Sequence, residues 1–267
     1  MKKIFFAIIT IATIFTSCKK ETTAPEYNPA VMGKINVEFD NVVGSSNLQL
    51  NTGIYTNSSS QQYKVTQLKY FVSNFKFTRV DGTEYVVPQD QSYFLIDESN
   101  AARDKASMNI PEGEYKTVSF IIGVDSLRNT RDVSQRTGDL DVTAAANGMY
   151  WSWNSGYIFF RLEGTSTVIP SAAQTFKYHI GGFGGFSAPT ANNIRTVTLD
   201  LAARGTAKVK ASKVNGVDVH NLVDVNKVFN GVNTMNLTTS FNVHSPTAGA
   251  TVAANLPAIF SHDHTHN

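Results

Sequence analysis

Residues 63–87 read YKVTQLKYFVSNFKFTRVDGTEYVV, and this stretch decides the fold class. Apolar and polar side chains alternate along it, the period-two pattern of a strand with one buried face. Asp81-Gly82 interrupts the run, and EYVV resumes it. An Asp-Gly pair between two such runs favours a tight hairpin turn. Working outward, strand-like patterning recurs in Lys34–Phe39 (KINVEF), Tyr93–Ile96, Tyr115–Val124 and Gly156–Leu162. It recurs again in Thr175–Ile180, Arg195–Leu201 and Ala207–Val214. These runs predict an all-β chain: an antiparallel β-sandwich, one domain with long loops. Val65, Val72, Phe75, Val118, Ile121 and Ile158 are its expected core positions. Helical spacing is confined to Asn221–Phe229 (NLVDVNKVF), predicted as one short helix behind an Asn cap. No internal repeat is visible.

The N-terminus has a different grammar. Lys2 and Lys3 precede an uncharged apolar run, IFFAIITIATIF (4–15), then Thr16, Ser17 and Cys18. A short positive segment, a short apolar core and small residues make a secretory signal peptide, too short for a membrane span. Cys18 directly after the small residues marks the lipoprotein type. It is the only cysteine in the chain, as expected where exported proteins pair their thiols or avoid them. Residues 1–17 are therefore expected to be removed, and Cys18 to be acylated. Several acyl chains on one residue give a stable membrane anchor. Residues 18–30, ending in KKETTAPEYNPA, read as a tether. The domain is expected over 31–245, and 246–267 as a C-terminal tail. The expected location is the bacterial cell envelope, most naturally the outer membrane, facing periplasm or cell surface.

Composition narrows the functions. Loss of Lys2 and Lys3 takes the formal charge from +2 to zero, which gives no support for nucleic-acid binding. With 42% hydrophobic residues the chain can bury a sizeable core. It has no Cys nucleophile, no Gly-x-Ser-x-Gly, no HExxH and no phosphate loop, so no enzyme is expected.

Three blocks carry candidate chemistry. All six histidines lie in the second half, and His262, His264 and His266 alternate in the closing FSHDHTHN. In an extended segment that spacing puts three imidazoles on one face, a metal-ligand arrangement or else simply a polar tail. In FKYHIGG, Phe176, Tyr178 and Ile180 share one strand face and leave His179 on the other. The second block, GMYWSWNSGY, holds both tryptophans, Trp151 and Trp153, two residues apart. The third contains Asp125, Asp139 and Asp141 in a long connection, where carboxylates serve either calcium or Asx turns.

At these blocks the sequence resembles the MbnP-like family of periplasmic or lipid-anchored copper-binding proteins, related to the methanobactin-associated protein MbnP. The resemblance rests on YFVSNFKF (70–77), IPEGEY (110–115), GVDSLRN (123–129) and GDLD (138–141). It rests further on GMYWSWNSGYIFFRLEG (148–164) and HIGG (179–182). It implies a β-sandwich and copper binding. It also implies a partner dihaem enzyme that oxidises one tryptophan to kynurenine, which then helps to hold copper. The matching position is Trp151 or Trp153, and His179 carries over as a ligand candidate. Imidazole suits copper in both oxidation states. The expectation is a non-enzymatic copper-binding lipoprotein for metal acquisition or storage. Its site would be formed by His179 meeting His262, His264 or His266 near the tryptophans. The rivals are a surface adhesion or glycan-binding module whose tryptophans stack on sugars, and a structural domain with no small ligand.

Overall fold

The computed structural model describes residues 27–142, 148–151, 153–154 and 156–267; Cys18, the signal peptide and most of the tether lie outside them. Among the described residues, ten strands of five residues or more carry the architecture. They are β1 (Met32–Val43), β2 (Gln62–Arg79), β3 (Tyr93–Asp97), β4 (Lys105–Pro111) and β5 (Gly113–Ile122), then β6 (Gly156–Thr165), β7 (Thr175–Gly181), β8 (Arg195–Asp200), β9 (Val217–Asp224) and β10 (Phe260–His266). The smaller sheet runs β10-β9-β1, with β4 on the far side of β1. The larger runs β8-β5-β2-β6-β7, with β3 also paired to β2. The all-β sandwich expected from the alternation is present. Two pairings depart from an antiparallel pattern: β1 runs parallel to β9, and β7 parallel to the short strand Asn242–Val243.

β2 shows how its sequence sets register. Its core-facing residues are Tyr63 and Val65, then Leu68, Tyr70 and Val72, then Phe75 and Phe77. The spacing of two slips to three at two places. There the ladder shifts register, first against β6 at Glu163/Gly164 and then against β5 between Ser73 and Lys76. A bulge adds one residue and restores the apolar side chains to the buried face. Asn74 takes the second bulge with φ +55°, a conformation that Asn tolerates better than most residues.

The main core lies between the sheets. Phe39 of β1 meets Tyr70, Phe120 and Phe260 edge-on, with ring centroids 6.1, 5.6 and 6.1 Å apart. Phe260 also packs on Tyr70 and Phe120, at 5.9 and 5.4 Å. β10, polar over most of its length, is thus anchored by one aromatic at its start. Of the expected core positions, Val65, Val72, Phe75, Val118 and Ile158 are buried, while Ile121 is half-buried. A second apolar cluster, including Phe71, Leu140, Met149, Tyr157 and Phe159, lies apart from the main core.

The helix expected over Asn221–Phe229 is not formed. Asn221 lies in β9, and only Val225–Val228 turn, as a 3-10 segment capped by the Asp224 side chain. The reason is Asn221 itself: it is fully buried and donates to the Glu38 carbonyl at 3.0 Å. It therefore occupies an inward strand position that a polar side chain disguises. The longest helix among the described residues is instead Pro246–Asn255, with Ser245 accepting from the Ala248 N–H and Pro246 in the first turn. Residues 246–267, read from sequence as a tail, form this helix and then β10.

Candidate metal centres

The first centre is built on the outward face of β6 and β7. Phe176, Tyr178 and Ile180 are fully buried, which turns His179 to the opposite face as the alternation requires. His179 lies across from Arg161. Its Nε2 is 2.7 Å from Glu163 Oε1, and Arg161 holds the same carboxylate oxygen at 2.6 Å. A further Arg161 nitrogen donates to the Gly148 carbonyl at 2.8 Å, tying the start of the tryptophan segment to this ion pair. The pairing of Asn242–Val243 with β7 delivers His244, whose ring stacks on that of His179 at 4.3 Å and 17°.

Trp151 reaches the same face. It lies in a two-residue strand paired with Gly156–Tyr157. A Cβ added to Gly181 would fall 2.8 Å from Trp151 Cζ3 and 2.6 Å from the Tyr157 carbonyl oxygen. Gly181 is thus bare where the indole lies, two positions along from His179 on one strand face. Trp153 stacks on Trp151 with centroids 4.9 Å apart and is 48% exposed.

Electrostatics keeps these imidazoles neutral. Burial pushes His179 down to about 4, against the opposing pull of Glu163. Burial, then Lys177, lowers His244. Burial works to raise Glu163, but hydrogen bonds from His179 and Arg161 outweigh it and hold the carboxyl low. A neutral imidazole offers a lone pair without proton competition. With Nε2 given to Glu163, His179 retains Nδ1 as its donor, the carboxylate–imidazole arrangement common around ligating histidines. This donor set has two imidazoles and no thiolate, and its chemistry fits copper.

The terminal histidines do not join this centre. His264 and His266 lie in the smaller sheet, where β10 pairs with β9: His266 opposite Asp218, His264 opposite His220. A register shift follows at once, so that Asn221 faces His262 and Asp263 is the extra residue. The bulge therefore breaks the expected one-face alternation. His262 turns to the other face, its Nε2 2.9 Å from Thr265 Oγ1 and its Nδ1 buried without a hydrogen bond. In its place His220 joins His264 and His266, and one donor atom from each lies within 4.8 Å of the others. Sequence reading missed both His220 and His244. His220 was readable in principle, because VDVHNLVD alternates once Asn221 is accepted as inward-facing.

The loop aspartates are occupied by the chain's own donors. Asp125 caps the single helical turn Ser126–Asn129, accepting from the Arg128 N–H at 3.0 Å, and takes the Tyr93 hydroxyl and Gln89 besides. Asp139 accepts from the Leu95 N–H at 2.8 Å and pairs with Arg103 at 2.6 Å. Among the described residues neither these two nor Asp141 belongs to a three-ligand group. The Asx-type reading accounts for Asp125, whereas Asp139 is held by donors distant in sequence.

The model of the family described as MbnP matches residues 32–246. A solved structure described as MbnP from Methylosinus trichosporium is similar over 88% of this chain and 99% of its own, with TM-score 0.57 and 16% sequence identity. At that identity the likeness is one of fold. No curated protein matches the chain.

Proposed function

The chain belongs to the MbnP family, and from that premise we propose that it is an exported, lipid-anchored protein that binds copper beside Trp151, for acquisition or storage of the metal rather than for catalysis. The observation that carries this reading is the common strand face of His179 and Trp151, made possible by Gly181, with His244 stacked alongside. His179 and His244 would hold the ion. Trp151 is the tryptophan that a dihaem partner would oxidise. An intact indole offers no lone pair outside its aromatic system, whereas kynurenine presents an aniline nitrogen and a ketone oxygen. The Glu163–Arg161 pair supports the site by fixing the His179 ring. The anchor would be lipid on Cys18.

The test uses protein purified from its native host. Copper analysis should find the metal, and mass spectrometry should find about +4 Da on the peptide containing Trp151, from one oxygen gained and one carbon lost. His179→Ala and Trp151→Phe should each release the copper. Native protein without copper and with both tryptophans unmodified would overturn the proposal.

A further inference from the structure

The outer face of the smaller sheet holds a second imidazole cluster. His264 Nε2 and His266 Nε2 are 3.0 Å apart. The His220 ring stacks on His264 at 4.5 Å and 12° and meets His266 edge-on at 5.1 Å. Each of two rings has a carboxylate on its Nδ1: Asp263 Oδ2 lies 2.7 Å from His264, and Glu38 Oε1 lies 3.4 Å from His220. A carboxylate on Nδ1 fixes the tautomer that leaves Nε2 free for a metal. Arg204 pairs with Asp263 at 3.2 Å and Lys105 with Glu38 at 3.8 Å, which holds these carboxylates in place.

We propose that His220, His264 and His266 form a second transition-metal site, specific for a divalent first-row ion such as Zn²⁺ or Cu²⁺. Three imidazoles without thiolate or thioether suit such ions, and the two carboxylates behind them orient the rings. Tetrahedral coordination with bonds of about 2.0–2.1 Å sets ligand nitrogens about 3.3 Å apart. The His264–His266 pair is already near that separation, and His220 closes by a side-chain rotation. Three protein ligands leave a fourth position for water or an external group. His264 and His266 lie beyond the residues that match the family. His220 lies within them, and the site does not depend on Trp151 or His179, which lie in the other sheet.

The bulge at Asp263 makes the proposal testable. A flexible His-rich tail would use His262, His264 and His266 alike and would ignore His220. The folded face uses His220 and excludes His262. The experiment is a chelator-competed Zn²⁺ titration of metal-free full-length protein, with each variant's melting curve as the check on folding. His220→Ala and His264→Ala should each weaken Zn²⁺ by at least about tenfold, and Glu38→Gln by a similar factor through the ring it orients. His262→Ala should leave Zn²⁺ affinity unchanged within about twofold. Folded His220→Ala and His264→Ala variants that bind Zn²⁺ like the parent would overturn the site. So would a His262→Ala loss equal to that of His264→Ala with His220→Ala silent. Failure of the Trp151 copper reading would leave the Zn²⁺ result intact, so the two outcomes are separable.

Discussion

Gly181→Ala adds a single methyl group to the point where Trp151 rests. The new Cβ would stand 2.6 Å from the Tyr157 carbonyl oxygen and 2.8 Å from Trp151 Cζ3. Both distances are far inside contact. The indole can swing aside, but the carbonyl belongs to the paired strand β6 and yields only if the β6–β7 ladder opens. Overpacking of this kind costs about 1–3 kcal/mol. In a domain of this size each kcal/mol lowers the melting temperature by about 2–4 °C, so the expected loss is about 2–12 °C. The assay is best run with Trp153→Phe as the parent, because the chain has only two tryptophans and emission then reports Trp151 alone. Gly181→Ala should shift that emission to the red as the ring moves into water. An unshifted spectrum with a melting change below about 1 °C would refute the placement of Trp151 on Gly181, and with it the shared face on which the copper reading stands.

Four further outcomes are expected. Phe260→Ala removes a nearly buried ring that meets Phe39, Tyr70 and Phe120, and should cost about 3–5 kcal/mol in urea unfolding; a loss below about 1 kcal/mol would mean that β10 is not anchored there. His179 titrates at about 4 when folded against an ordinary value near 6.5, so the unfolded chain binds the extra proton between those values. Metal-free protein should accordingly hold this contribution in full above about pH 6.5 and lose it as pH falls towards 4, and a histidine NMR titration placing His179 near 6.5 would contradict its burial. Calcium or a calcium chelator should leave the melting temperature unchanged, since Asp125 and Asp139 already serve protein donors; a rise of several degrees with calcium would reverse that assignment. Cys18→Ala should release the protein from membranes or block its processing, and a processed, membrane-bound variant would refute lipidation.

The residues themselves explain what sequence reading found and what it missed. The outward placement of His179 was legible because Phe176, Tyr178 and Ile180 leave a strand no other choice of face. The β2 core was legible for the same reason, and its two three-residue gaps mark its bulges directly. β9 was hidden by Asn221, a buried amide whose NH2 donates to the Glu38 carbonyl and which breaks an otherwise apolar row. β10 has no apolar row at all after Phe260, because it is an edge strand with polar side chains on both faces. The terminal histidines were recognisable as ligands by type, but not by grouping. Grouping depends on where one extra residue, Asp263, is inserted into a ladder, and on a partner strand some forty residues earlier. His244 was invisible because it reaches His179 through a two-residue parallel pairing.

The parallel pairing of β1 with β9 also sets an order of events in folding. Asn36 and Asp218, joined by a 2.8 Å hydrogen bond, are 182 residues apart in the chain. Contacts of such high sequence separation close large loops before they are rewarded, and folds dominated by them form slowly. A chain emerging N-terminus first would present β1 long before β9 exists to cover its edge, leaving a row of unpaired backbone groups open to wrong partners. Polar side chains at Lys34, Glu38 and Asp40 along that strand are the built-in protection during the wait. The smaller sheet, with the His220 cluster on it, can close only once β9 and β10 have been made. Metal capture there would report that β10 had joined β9.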